Sequence, residues 1–167
     1  MDIYSPQFQL TYNSPSGILR IYSNGKGVNK IERIYEYDSS SDKPDIHCQQ
    51  AKKELEEYFD GQRKIFEVKI DMTAGTIFQQ AVWDQLCKIP FGKTKSYGQL
   101  ANEMNNPKAV RAVGTANGKN PILIIVPCHR VIGADGSLTG FSAGMDMKKN
   151  LLSLEQGKTV GTQTSLF

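Results

Sequence analysis

Apolar and polar positions along the chain fall into two stretches with different rhythms. In the first, Ile18 to Tyr22 and Ile31 to Tyr37 are rich in Ile and Tyr and read as short strands, with Ser23, Asn24, Gly25, Lys26 and Gly27 as the turn of a hairpin. After a polar loop from Ser39 to Pro44, residues Ala51, Leu55, Tyr58 and Phe59 recur at helical spacing, and Gly61 ends that helix. Phe66, Val68 and Ile70 then alternate as on a half-buried strand, and Asp71 to Gly75 marks a linker.

The second stretch opens on helices. Thr76 and Gln79 stand in capping-box spacing before the apolar set Phe78, Ala81, Val82 and Leu86. Beyond a turn at Pro90 to Gly92, Ser96 and Gln99 repeat the box ahead of Leu100, Ala101 and Met104. Asn105 and Asn106 stop that helix, and Asn106 is placed to cap another beginning at Pro107, where the missing N–H of proline costs nothing. Two short helices across a tight turn suggest a helix-turn-helix. On the second, Ala109, Ala112, Val113 and Ala116 share one face and Arg111 points the other way. Its small residues, Gly114 included, suit close approach either to a neighbouring helix or to a nucleic-acid groove.

Ile122 to Val126 is a continuous apolar run, the pattern of a strand buried on both faces, which delivers Pro127, Cys128, His129, Arg130 and Val131 at its end. Arg130 to Ile132 and Ser137 to Thr139 flank Ala134, Asp135 and Gly136 as a small hairpin, the wing of a winged helix. A last helix runs from about Gly144 to Gln156.

Composition narrows the class. With 167 residues, 39% apolar and 22% charged, the chain has enough core for one domain or two small ones. No run reaches the roughly 18 apolar residues of a membrane span, and the N-terminus lacks the pattern of a signal peptide, so a cytoplasmic location is expected. Three cysteines, Cys48, Cys87 and Cys128, without a CxxC pair indicate neither a disulfide framework nor a zinc ribbon. Up to Ala74 the chain carries ten Lys and Arg against twelve Asp and Glu; after it, ten against five. That asymmetry fits a second half that meets a polyanion, and equally an ordinary solvated surface.

The candidate chemistry centres on Cys128. A thiol attacks as the thiolate, and near its ordinary pKa of about 8.5 only a few per cent is ionised at neutral pH, so it needs a base or a positive field. His129 is adjacent, but neighbours on extended backbone point to opposite faces, so a bridging water would join them. In the last helix Leu151, Leu152 and Glu155 share a face, which puts a carboxylate on an apolar stripe where it needs a donor. His129 would complete a Cys, water, His, Glu relay; Lys148 on the same stripe is the competing partner. A purely structural cysteine fits the same residues. Cys87 on a helix reads as a packing residue and Cys48 beside His47 as a surface one.

These residues resemble a known family, the methylated-DNA protein-cysteine methyltransferases, also called O6-alkylguanine-DNA alkyltransferases. Pro127, Cys128, His129, Arg130 and Val131 are similar to its active-site signature, with Asn120 and Pro121 upstream. Phe91 and Gly92 before Ser96 and Tyr97, the run from Asn106 to Gly114, and Leu151, Leu152 with Glu155 match as well. The resemblance covers roughly residues 74 to 156; the first half matches only in general layout.

The resemblance implies an α+β chain. A small N-terminal α/β, ribonuclease-H-like domain over 1–74 would precede a catalytic winged helix-turn-helix DNA-binding domain over 75–157 and a flexible tail over 158–167. It makes Cys128 the alkyl acceptor, His129 the water-mediated base, Glu155 its orienting group, and Asn120 the brace of the turn. Tyr97 would turn the nucleotide's phosphate and donate toward the leaving guanine. Arg111 would fill the gap in the base stack from the minor groove, with Ala109, Gly114 and Ser142 also against the nucleic acid. Val131, Phe141 and Ser142 would line the lesion pocket.

The expected partner is double-stranded DNA bearing O6-alkylguanine, bound by a monomer without metal or organic cofactor. O4-methylthymine would be a poorer substrate. Phe141 stands where many relatives have tyrosine, which removes a hydroxyl from the pocket. Ala143 replaces a usual glycine and narrows the room for bulky alkyl groups, and the first half lacks the zinc-binding set of some relatives. Competing classes are a non-catalytic alkylated-DNA-binding protein, which would lack the acceptor cysteine, a winged-helix regulator, which would not need Cys128, His129 and Glu155 together, and a cysteine hydrolase, which would turn over.

Overall fold

The computed structural model describes residues 8–157. The tail expected over 158–167 lies outside them. The chain divides into two compact units, Met1–Ala74 with Pro121–Leu123, and Gly75–Asn120 with Ile124–Phe167.

The first unit is an antiparallel sheet in the order β1 (Phe8–Ser14), β2 (Gly17–Ser23), β3 (Val28–Ile34), packed against helix α1 (Ile46–Phe59). Leu19 and Ile21 of β2 alternate inward and are fully buried. Asp45 caps α1 by accepting the Cys48 N–H at 2.9 Å, and the helix turns Cys48, Ala51, Leu55 and Tyr58 to the core. β1 alternates Phe8, Leu10 and Tyr12 with polar residues and pairs with β2, where Tyr12 meets Leu19. β3 starts at Val28 and ends at Ile34, which leaves Tyr35 and Tyr37 exposed beyond the sheet. Cys48 is wholly buried and Cys87 exposed, the reverse of the expectation, because the inward stripe of α1 begins at Cys48.

The expected strand over Phe66 to Ile70 does not form. Val68 points inward as its alternation requires. However, the N–H groups of Glu67 and Val68 donate to the Glu54 carboxylate at 2.8 and 3.1 Å, and only a single parallel bridge, Val28 to Ile70, links the segment to the sheet.

The second unit holds α2 (Ile77–Cys87), β4 (Lys95–Ser96), α3 (Tyr97–Glu103), α4 (Val110–Gly118), β5 (Val131–Ile132) and α5 (Met145–Glu155). Both capping boxes form: Thr76 Oγ1 accepts from Gln79 N while Gln79 Oε1 accepts from Thr76 N, and Ser96 and Gln99 repeat the exchange. α2 buries Val82, Trp83 and Leu86, and the Trp83 indole donates to the Ala116 carbonyl at 2.9 Å, tying α2 to α4. Phe78 is half-buried and Ala81 exposed, so the inward face is centred on Trp83. α3 and α4 form the expected pair across a tight turn in which Asn105 takes a positive φ of 58°.

Several boundaries differ from the sequence reading. Pro107–Ala109 is a 3-10 turn and the α-helix proper begins at Val110; the Asn106 side chain makes no capping bond. Ala112 is exposed, and the inward face of α4 is Val113, Ala116 and Asn117. The apolar run Ile122 to Val126 is buried throughout but is not a strand. It makes one parallel bridge, Ile31 to Ile122, then turns at Ile124, whose φ is 70°. In the wing region Gly133 N donates to Ser137 O at 2.8 Å around Gly136, but among the described residues 137–139 contribute no strand. β5 pairs instead with β4, in parallel.

Candidate active site

Cys128 opens a 3-10 turn, Cys128–Arg130, immediately after the buried apolar run. The Val126 carbonyl fixes that turn by accepting two donors, Cys128 N at 2.8 Å and Asn120 Nδ2 at 2.7 Å. Asn120 is itself held at the end of α4 by its N–H to the Asn117 carbonyl at 3.2 Å. Burial pushes the Cys128 thiol up to about 11; a hydrogen bond from Asn120 and the charge of Lys148 pull against that rise. The thiol at rest is therefore protonated, and the groups that favour its thiolate are already in place.

The carboxylate on the α5 stripe finds more partners than its spacing suggests. Glu155 Oε2 lies 2.7 Å from His129 Nε2. The Arg130 guanidinium forks onto both oxygens, Nε to Oε1 at 2.7 Å and Nη2 to Oε2 at 3.0 Å, and sends Nη1 to the Ile89 carbonyl at 2.7 Å. Gly92 N adds a longer bond to Oε1 at 3.4 Å. Gly92 has a φ of +81°, and a Cβ there would stand 3.1 Å from the Glu155 carbonyl oxygen, so the turn favours glycine. Burial alone would raise the Glu155 carboxyl, but His129 and Arg130 outweigh it and hold it well below the ordinary carboxylate range.

His129, fully buried, is pushed down by desolvation against the pull of Glu155, with the charges of Arg130 and Lys148 adding to the push. A neutral imidazole facing an ionised carboxylate carries its proton on Nε2, which leaves Nδ1 as the acceptor. Nδ1 is buried and makes no hydrogen bond among the described residues. The ring is thus oriented by Glu155 with its basic nitrogen unengaged. Lys148, the competing partner, goes elsewhere: its ammonium donates to the carbonyls of Val131 at 2.8 Å and Thr139 at 3.0 Å.

Cys128, Asn120, His129 and Glu155 therefore form one local constellation in the second unit. Arg130 was missed by sequence reading as a partner of Glu155; a buried carboxylate one helix away from two adjacent basic residues was the available signal. Tyr97, at the first position of α3, brings its hydroxyl to Thr139 Oγ1 at 2.7 Å. Gly114 on α4 faces the Tyr97 ring, since a Cβ there would stand 3.7 Å from Cδ1. Val131 is buried, Phe141 half-buried and Ser142 exposed. Arg111 is exposed on α4, and Ala109 half-buried in the turn before it. Among the described residues no hydrogen bond ties the Arg111 side chain, Ala109 or Ser142 to the Cys128 set. No group of three or more His, Cys, Asp and Glu among them is arranged to hold a metal ion, and no helix is long and apolar enough to cross a membrane.

Comparison with known proteins bears on both units. Residues 77–157 match the family model described as 6-O-methylguanine DNA methyltransferase, DNA binding domain, and residues 8–72 its ribonuclease-like domain. A methylated-DNA–protein-cysteine methyltransferase of Methanosarcina acetivorans is 44% identical over 86% of this chain and 95% of its own length. That of Methanosarcina mazei is 57% identical over 62% of this chain; the aligned stretch spans 65% of that protein. Among solved structures, Mycobacterium tuberculosis OGT in complex with DNA superimposes with a TM-score of 0.79 at 44% identity, covering 88% of this chain and 91% of that one.

Proposed function

Because the chain belongs to the 6-O-methylguanine DNA methyltransferase family, we propose that it repairs DNA by moving the alkyl group of O6-alkylguanine onto its own Cys128, once per molecule. The observation that carries this reading is the Cys128 turn itself. A buried thiol stands in a turn braced by Asn120, beside a histidine whose tautomer is set by an ionised glutamate.

The chemistry follows from those groups. His129 Nδ1 takes the Cys128 proton through a bridging water, with Glu155 holding the ring and stabilising the imidazolium. The sulfur attacks the alkyl carbon in line. The Sγ–C bond forms as the C–O6 bond breaks, and the electron pair leaves with guanine, which then takes up a proton. Tyr97 donates toward the departing base. The product thioether has no good leaving group, so the protein is consumed. No metal or organic cofactor enters any step.

The target base must first leave the duplex. Extrusion costs a few kcal/mol, which Arg111 in the vacated stack offsets from the minor groove, with Ala109 and Gly114 permitting close approach and Ser142 at the nucleic acid. Val131, Phe141 and Ser142 line the lesion pocket. In this reading residues 1–74 form the N-terminal domain and 75–157 the catalytic one. The protein acts as a monomer in the cytoplasm on double-stranded DNA, with O4-methylthymine the poorer substrate.

Intact-protein mass after incubation with excess duplex containing one O6-methylguanine tests the proposal. A single gain of roughly 14 Da is expected, the exchange of hydrogen for methyl, absent in Cys128→Ala and stopping at one equivalent. Tight DNA binding with no mass change would instead make this a damage-recognition protein.

A further inference from the structure

Tyr97 has a partner that the transfer scheme leaves unused. Its hydroxyl meets Thr139 Oγ1 at 2.7 Å, and either oxygen can be the donor. Thr139 is exposed, yet its position is fixed from below. Its carbonyl accepts the ammonium of Lys148, which also donates to Val131 O, and Lys148 is completely buried on α5. A buried cation spent on two main-chain carbonyls is a costly way to hold a surface segment. The segment needs holding: Gly133, Gly136, Gly140 and Gly144 punctuate it, and Gly136 and Gly144 take positive φ values of 84° and 100°. The phenol is therefore bounded at both ends, its ring by Gly114 and its hydroxyl by Thr139.

Resting on the reading of Tyr97 as donor to the leaving guanine, we propose that Thr139 is a positioning residue for alkyl transfer, its hydroxyl donating to the Tyr97 oxygen so that the phenol proton is directed at the flipped base. Two hydroxyls share one hydrogen bond at a time. When Thr139 donates, the Tyr97 proton is released from Thr139 and becomes available to guanine. The bond donated to the phenol oxygen also supports the negative charge that grows there as Tyr97 gives up its share of the proton, since successive hydrogen bonds in a chain reinforce one another. Lys148 keeps Thr139 at the distance this requires.

Single-turnover methyl transfer from duplex DNA, measured beside affinity for undamaged duplex, tests the inference. Thr139→Val, which keeps the shape and removes the hydroxyl, is expected to slow transfer roughly fivefold, the worth of one ordinary hydrogen bond, with affinity for undamaged duplex unchanged. Thr139→Ala should reproduce the loss and Thr139→Ser should restore the rate. In a Tyr97→Phe background Thr139→Val should have no further effect. A wild-type rate in Thr139→Val, losses that multiply with Tyr97→Phe, or a parallel loss of affinity for undamaged DNA would each overturn it. Failure of the wild-type protein to take up methyl on Cys128 is a different result, and it overturns the proposed function instead.

Discussion

Two glutamates lie buried on helices, one in each unit, and they differ in what donates to them. Glu54 of α1, 3% exposed, accepts the backbone N–H groups of Glu67 and Val68 and the side-chain amide of Gln50. Glu155 of α5, 6% exposed, accepts a guanidinium fork and an imidazole, with one longer bond from Gly92 N. None of the first donors ionises near neutral pH, so Glu54 fastens the chain and does no more. The second set contains one group that stays charged and one that can change. Arg130 keeps Glu155 ionised while His129 remains free to accept a proton at its other nitrogen. Burial of a carboxylate marks neither structure nor chemistry by itself; the identity of its donors does.

The largest expected break in this comparison comes from Glu155→Gln. The substitution keeps the shape but removes the charge that fixes the His129 tautomer and stabilises its protonated form. Single-turnover methyl transfer should fall by about a hundredfold or more, the range of general-base contributions. Rapid-quench measurement of methylated protein decides it. A Glu155→Gln protein that transfers at the wild-type rate would reduce Glu155 to a fastener like Glu54.

The site was more legible in the sequence than the path of the chain around it. Capping boxes are local exchanges between a side chain and backbone three residues away, so Thr76 with Gln79 and Ser96 with Gln99 announce α2 and α3 without tertiary information. Glu155 stands out because a carboxylate on the stripe of Leu151 and Leu152 demands a donor. Arg130 did not stand out: a basic residue after a histidine looks like surface until the fold buries it. The run Ile122 to Val126 was misread because hydrophobicity reports burial and not pairing, and a buried turn and a buried strand have the same composition. β1 carries a local strand signal in the alternation of Phe8, Leu10 and Tyr12 with Gln9, Thr11 and Asn13, and its pairing with β2 completes it. The strand expected at Phe66 to Ile70 has the right alternation, but the N–H groups of Glu67 and Val68 answer to the Glu54 carboxylate, 13 and 14 positions back on α1, a pairing that no local pattern announces.

A smaller effect sharpens the contrast through pH. Desolvation leads the depression of His129, so the folded protein resists a proton that the unfolded chain takes near pH 6.5. Between the folded and unfolded values the unfolded state binds more protons. The unfolding free energy of the second unit should therefore decline as pH drops below about 6.5, by at most about 1.4 kcal/mol per pH unit from this group. Trp83, the one tryptophan of the chain, is buried in that unit and reports its urea unfolding. His129→Gln, which cannot titrate but can still donate to Glu155, should flatten the decline between pH 7 and 5.5. An equal slope in both proteins would mean that other groups carry the pH dependence.

The smallest effect is the most discriminating. In Glu54→Gln the amide oxygen can still accept from Glu67 and Val68, but a hydrogen bond to a neutral acceptor is worth about 1 kcal/mol less than one to a charged acceptor, and the new NH2 faces the Gln50 amide. A destabilisation of about 1–2 kcal/mol is expected, read as a lower denaturation midpoint followed by far-ultraviolet circular dichroism, since Trp83 lies in the other unit. The methyl-transfer rate of the folded protein should not change. The pair of variants then separates the two uses of a buried carboxylate: one shifts the midpoint at constant rate, the other collapses the rate. If Glu54→Gln slowed transfer as Glu155→Gln does, the first unit would be part of the chemistry, and the distinction drawn from the donors alone would not stand.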